Sequence, residues 1–359
     1  MIRDVVIDDR GAIDVTVVLT TAGCPLKSQL QKDITARLGG HPGVSGVHIT
    51  WGEMTDEERA ACMAKARFNA TQRADTTMVP PTTRVLAIAS GKGGVGKSSV
   101  TANLAVGLAR QGFAVGVLDA DIGGFSQPRM LGIEGRLGGS GTTEGNKIVP
   151  HRRDFAPGFV EVVSMGHLVE DEQSALTWEG RMLNRAVRHF LEDVRWSDDL
   201  DYLLIDMPPG TGDIQIGLAR MLPRSEVLLV TTPALAAQKV AARAADLARK
   251  TYLRVVGVIE NMTAFTCEHG TTYALFGEGG GQALADDIGA PLLGRIPMEP
   301  GVVLGGDTGT PAVLGTGAAA EAFVALVTHI ATEAAPPVDM GGCSARLLER
   351  VEAALGPKT

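Results

Sequence analysis

Between Val85 and Gly112 the chain reads VLAIASGKGGVGKSSVTANLAVGLARQG. An apolar run, Val85 to Ala89, gives way to a glycine-studded loop with two lysines. The loop opens into a segment of helical periodicity, Ser98 to Arg110. Within it, GKGGVGKS (Gly91 to Ser98) fits the phosphate-loop pattern: two glycines separated by four residues, then Lys-Ser, between a buried strand and a helix. Glycines let the backbone N–H groups turn inward, and the helix start adds positive partial charge. Gly91, Lys92, Gly93, Gly94, Val95, Gly96, Lys97 and Ser98 are therefore the expected nucleotide cradle. The pattern predicts that Lys97 reaches the β- and γ-phosphates of ATP and that the Ser98 hydroxyl ligates Mg²⁺.

Outward from this loop the same texture repeats. VLAIAS, AVGVLDAD, FVEVVSM, DYLLIDMPPG, EVLLVTTP, RVVGVIENM and PLLGRIP are short apolar runs, with helical periodicity between several of them, at Ser98–Arg110, Glu179–Val194 and Leu235–Lys250. Near-continuous apolar strands alternating with helices predict an α/β fold, a mostly parallel sheet covered by helices on both faces. Ligands in such sheets sit at the carboxyl ends of strands. Three aspartates stand there. Asp206 ends YLLID, and with Asp119 it is expected to hold Mg²⁺ directly or through water. Asp121 suits positioning of the attacking water; a turn-stabilising aspartate is the alternative.

Before this region lies a small α+β unit, expected over residues 1–70. Ile13, Val15, Val17 and Leu19 alternate on one face of a strand, Leu26, Leu30, Ile34 and Leu38 mark a helix, and GVSGVHITW reads as a second strand. A further helix opens with a capping box, Thr55 with Glu58. Residues 71–83 are polar and then proline-bearing and read as a linker, followed by the ATPase domain over 84–335 and a tail over 336–359. The tail carries a short amphipathic helix, Ser344 to Leu355, with two arginines matched by two glutamates. That balance suits docking on a helix or subunit better than a membrane surface.

Bulk numbers bound the function. The chain has 359 residues, 45% hydrophobic and 21% charged, enough for a sizeable core. A net charge of −8 and an aromatic content of 4% argue against a nucleic-acid-coating surface, so no nucleic-acid partner is expected. No basic segment followed by an apolar run opens the chain, and no apolar stretch reaches the ~18 residues of a membrane span, so a cytoplasmic protein with no membrane partner is expected. Four dispersed cysteines, Cys24, Cys62, Cys267 and Cys343, do not make a disulfide framework.

KGGVGKSS, with its extra lysine, resembles the phosphate loop of the MinD/ParA/nitrogenase-iron-protein class of ATPases. The resemblance implies a homodimer that sandwiches two nucleotides, in which Lys92 reaches across to the partner's phosphates, as an arginine finger does. Within that class the chain resembles the Mrp (ApbC-like) iron–sulfur cluster carriers over nearly its whole length. DADIGGFSQPRMLG and DMPPGTGD resemble that branch's two switch segments, GVIENM its base-binding strand, and FGEGGG and GRIP its later signatures. Asn261 is then implied to read adenine. TVVLTTAGCP resembles the accessory domain of iron–sulfur assembly factors, which starts late here, without its usual leading helix. The family implies an ATP-hydrolysing carrier that takes clusters from scaffold proteins to recipient apoproteins.

Two departures stand out. Gly123, Gly124 and Phe125 replace the family's Tyr-Gly-Pro. Where the family carries Cys-x-x-Cys to bridge a [4Fe–4S] cluster across its dimer, this chain reads CEHG, with Gly270 at the second position. Cys267 is open to three readings: a cluster ligand helped by His269, Cys24 or a small thiol; a transfer thiol without a stable cluster; or a packed small residue. Cys24 precedes Pro25 and falls at a helix N-cap, where the positive helix end lowers a thiol pKa; it is either a metal or cluster contact or a cap chosen for size. Two other functions compete with the carrier: a MinD/ParA-type positioning ATPase switch, and a nucleotide-dependent adaptor without cluster binding.

Overall fold

The computed structural model describes residues 2–19, 27–72, 77–133, 135, 143–144, 147–167 and 180–338. The chain divides into two units, Met1–Gln72 and Arg73–Thr359. In the first, β2 (Ala12–Leu19) lies between β1 (Ile2–Ile7), antiparallel to it, and β3 (Gly46–Glu53), parallel to it. The alternation read from sequence is realised: Ile13, Val15, Val17 and Leu19 are buried, and Leu30, Ile34 and Leu38 of α1 (Lys27–Gly39) pack on them. The predicted capping box opens α2 (Asp56–Gln72). Thr55 N–H donates to Glu58 Oε2 at 2.8 Å, and Glu58 N–H donates to Thr55 Oγ1 at 3.2 Å. β1 was not expected, because its side chains are all exposed and carry no period-two signal. Arg3 on β1 donates to both oxygens of Glu58, at 2.9 and 2.6 Å, and holds that carboxyl down at about 2.

In the second unit the seven apolar runs become seven parallel strands: β4 (Arg84–Ser90), β5 (Ala114–Asp119), β9 (Gly158–Ser164), β10 (Tyr202–Asp206), β11 (Glu226–Thr231), β12 (Arg254–Thr266) and β14 (Leu292–Met298). The sheet order is β14-β12-β11-β4-β10-β5-β9. β8 (His151–Phe155) adds antiparallel to β9 at one edge, and β13 (Thr272–Tyr273) pairs antiparallel with the end of β12. A two-residue ladder, β6 (Thr143–Glu144) with β7 (Lys147–Ile148), stands apart. Helices cover both faces, and this explains why the strands read as continuous apolar runs. Val85, Ala87 and Ala89 of β4 enter one core layer, with α5 (Gly180–Glu192), α6 (Asp213–Met221), α7 (Leu235–Lys250) and α8 (Gly280–Ile288). Leu86 and Ile88 enter the other, with α3 (Lys97–Arg110), α4 (Gln127–Leu131) and α10 (Ala318–His329).

The linker reading needs adjusting. Thr71 and Gln72 finish α2, and residues 78–83 are fastened to the second unit. Met78 N–H donates to Leu191 O at 2.8 Å, Val79 is buried, Thr83 Oγ1 donates to Leu200 O at 2.9 Å, and Arg224 donates to the carbonyls of Val79 and Pro80. Prolines there read as linker, but a proline-bearing segment with one buried valine can equally seat against a core. At the other end, Tyr202 Oη donates to Ala335 O at 3.0 Å and Arg84 Nε to Pro336 O at 2.9 Å. The predicted Ser344–Leu355 helix and Cys343 lie outside the described residues.

Candidate functional site

β4 and β10 are neighbours in the sheet, as are β10 and β5, so their carboxyl ends converge. The phosphate loop follows β4. Two of its glycines are fixed by what touches them. A Cβ on Gly91 would lie 2.3 Å from the backbone of Val240 and Ala241, because α7 packs directly against the loop. Gly96, the N-cap of α3, has φ +79°, and a Cβ there would lie 2.2 Å from Asn261 Nδ2. Asn261 is itself buried and donates to Val95 O at 2.9 Å. Its amide thus braces the loop, a contact its implied role at the base did not include. Lys92 is exposed between Gly91 and Gly93, and it makes no ion pair among the described residues.

Lys97 is the opposite case. Its side chain is 6% exposed, and its ammonium lies 2.5 Å from Asp206 Oδ1, 3.3 Å from Ser98 Oγ and 3.6 Å from Asp121 Oδ2. Asp206, fully buried, also accepts from Thr101 Oγ1 at 3.3 Å and from Gln127 Nε2 at 2.8 Å. Asp119 is its register partner on β5. The Asp119 carboxylate accepts from the backbone N–H groups of Asp121, Ser126 and Gln127 and from Ser164 Oγ, at 3.0–3.3 Å. Burial, reinforced by the neighbouring Asp206 charge, pushes Asp119 up to about 7 against the pull of those amides. Burial also raises Asp121, opposed by Lys97.

These donors are all oxygen, the preference of a hard cation such as Mg²⁺. Among the described residues no group of three or more His, Cys, Asp or Glu side chains is arranged to hold a metal unaided. That suits an ion which keeps several waters and is held chiefly by substrate phosphates with one or two protein oxygens. Ser98 and Asp206 fit that requirement.

Gln127 and Thr101 were not among the residues expected from sequence. Gln127 is fully buried at the start of α4, and its Nε2 joins Asp206 to the Ser98 carbonyl, the latter at 3.1 Å. Its only signal was a polar residue between Ser126 and Pro128, indistinguishable from a helix-start residue. Gln215 was missed as well. It ties down the loop after β10 by donating to Pro208 O at 2.9 Å and Gly210 O at 3.2 Å.

Cys267 sits apart from this cluster, at the turn between β12 and β13. Its N–H donates to Thr271 O, and Gly270 N–H donates to its carbonyl, both at 2.9 Å. The thiol is free and half-buried, and the amides of His269 and Thr271 hold its pKa below the ordinary thiol value. Gly270 has φ +80° with open space around it. His269 is exposed, 3.7 Å from Glu268. Cys62 lies half-buried on α2, and Cys24 lies outside the described residues.

Comparison with known proteins agrees with this geometry. Residues 81–332 match a family described as the NUBPL iron-transfer P-loop NTPase, and residues 1–51 match a family of iron–sulfur cluster assembly proteins. The chain is 43% identical over 324 residues to the iron–sulfur cluster carrier protein of Mycobacterium tuberculosis, covering 88% of this chain and 82% of the relative. To the protein of the same name from Synechocystis it is 38% identical over 336 residues, 92% and 90% of the two chains. Among solved structures, a nucleotide-binding protein from Archaeoglobus fulgidus in complex with ADP is 32% identical, with TM-score 0.55 over 70% of this chain and 94% of that one. The cell division ATPase MinD of Pyrococcus furiosus is 27% identical, with TM-score 0.51 over 69% and 98%.

Proposed function

The chain belongs to the iron–sulfur cluster carrier family of P-loop NTPases, and from that premise we propose that it binds and hydrolyses ATP in order to hold a cluster and deliver it to apoproteins. The observation that carries the nucleotide half is the buried Lys97 ammonium, held between Asp206, Asp121 and Ser98 beneath a glycine loop. A triphosphate arriving in the cradle competes for that ammonium. Lys97 leaves Asp206 for the β- and γ-phosphates, and the loop's inward N–H groups take the remaining charge. Asp206, so released, and Ser98 would hold Mg²⁺, with Asp119 acting through water. A bound Mg²⁺ supplies charge neutralisation at the β/γ oxygens. Asp121, partly exposed at the rim, orients the attacking water and accepts its proton. Lys92, exposed and free of ion pairs among the described residues, serves the phosphates of a second copy, so hydrolysis requires a dimer.

The cluster is the cargo. Each copy offers one Cys267 thiol, already biased toward thiolate by turn amides and standing on a partly exposed hairpin. Two copies supply two thiolates, and the other iron positions take ligands from a small thiol, the scaffold or the recipient. Such an incomplete set suits handing a cluster on. The free thiols Cys62 and Cys267 suit a reducing, cytoplasmic setting. No helix among the described residues is long and apolar enough to cross a membrane.

Anaerobic reconstitution with iron and sulfide tests the reading. Wild type should acquire visible absorbance and iron, and Cys267→Ala should acquire neither while still binding ATP. Failure of wild type to retain iron sinks the cargo role; failure to bind ATP with magnesium sinks the nucleotide role.

A further inference from the structure

Among the described residues, a buried polar atom next to Asp206 and Ser98 has no partner. Gln127 is fully buried, and both hydrogens of its side-chain amide are engaged, one with Asp206 Oδ2 at 2.8 Å and one with Ser98 O at 3.1 Å. Among the described residues no donor reaches its Oε1. The orientation is dictated by the neighbours: exchanging oxygen and nitrogen would aim the carbonyl at a carboxylate and a carbonyl. An orphaned buried acceptor is unfavourable unless a donor reaches it, and native cores rarely keep one without a reason. The same residue is held at its backbone, where its N–H donates to Asp119 Oδ2 at 3.2 Å. Gln127 therefore spans the two buried aspartates, one through its main chain and one through its side chain, and touches the residue whose hydroxyl faces Lys97.

We propose that Gln127 is a positioning residue for the cation that accompanies ATP, its carboxamide oxygen accepting a hydrogen bond from a metal-bound water while its amino group holds Asp206 and Ser98 in register. This rests on the reading of Ser98 and Asp206 as Mg²⁺ contacts. The chemistry is balanced: a metal-bound water is a strong donor, Oε1 is an acceptor without a donor, and the amide is neutral, so it adds orientation without altering the charge of the site. Because α4 begins at Gln127, occupancy of the metal site is felt at the first turn of that helix.

A fluorescent ATP analogue titrated with and without Mg²⁺ tests this in wild type, Gln127→Met and Gln127→Glu. Methionine keeps the volume but loses the acceptor together with the amino group's bonds to Ser98 and Asp206. Glutamate loses that amino group too but keeps an acceptor oxygen. Without Mg²⁺ all three should bind the analogue alike, within about twofold. The Mg²⁺ concentration giving half of the added binding should rise about five- to tenfold in Q127M. In Q127E it should rise less, because the acceptor survives. A Q127M midpoint within about twofold of wild type overturns the inference, as does a Q127E midpoint at or above that of Q127M. Should Q127M not fold, Gln127→Leu takes its place with the same expected rise. A wild-type protein whose analogue binding does not respond to Mg²⁺ overturns the reading of Ser98 and Asp206 along with the inference, whereas a responsive wild type matched by Q127M overturns the inference only.

Discussion

The phosphate loop and the Cys267 hairpin are both reached along β12, yet they are built in opposite ways. Asn261, within the strand, is buried and braces the loop; Cys267, just past its end, stands on a two-strand turn whose neighbours are exposed. Between them the register of β12 with β14 shifts, and Met262 takes a left-handed φ of 56°. Lys97, Asp206, Thr101 and the Gln127 amino group are already engaged with one another, so one chain already assembles most of a nucleotide site. The hairpin assembles a single activated thiol. One copy nearly suffices for the first, and the second waits for other molecules.

Replacing Lys97 should break this contrast most severely. Lys97→Met removes the cation and strands a fully buried Asp206; ATP binding should be lost and the nucleotide-free protein destabilised by about 3–5 kcal/mol, read from denaturant unfolding. Lys92→Ala is next. It should leave unfolding and nucleotide affinity unchanged but lower turnover about a thousandfold, in the range of trans-acting cations. Unchanged turnover would make the nucleotide site self-sufficient and remove the need for a dimer.

Gly270→Cys should sharpen the hairpin side. A second thiol there has room, though the left-handed backbone costs about 1–2 kcal/mol. Anaerobically reconstituted protein should then hold more iron per chain and lose it more slowly to a chelator, with ATP affinity unaltered. Iron content equal to wild type would mean that the missing thiol is not what limits cluster retention.

The smallest effect concerns pH. Asp119 titrates near 7 in the fold and near ~4 when unfolded, so its contribution to stability is fully present below about 4 and lost as pH rises through about 7. The melting temperature of the nucleotide-free protein should fall across that window, and Asp119→Asn should flatten the slope. At the hairpin the sign concerns reactivity instead: alkylation of Cys267 should begin below the pH at which an ordinary thiol reacts.

Much of this architecture was legible before any coordinate. Seven buried parallel strands announce themselves as unbroken apolar runs, because residues of both parities face a core layer. The phosphate loop announces itself because its glycines, lysine and serine are adjacent in sequence. The edge strands β1, β8 and β13 did not, since edges are polar, short or exposed on both sides and carry no periodicity.

Local order along the chain therefore settled the fold class, the nucleotide cradle and the missing second cysteine, since each depends on neighbours in sequence. Tertiary structure alone decided that Lys97 rests on Asp206, that α7 forces a glycine at position 91, that residues 78–83 are fastened to the second unit and that Gln127 bridges Ser98 and Asp206 with an oxygen to spare. Those depend on which strand ends converge, and convergence is set by strand order in the sheet, which no local pattern encodes.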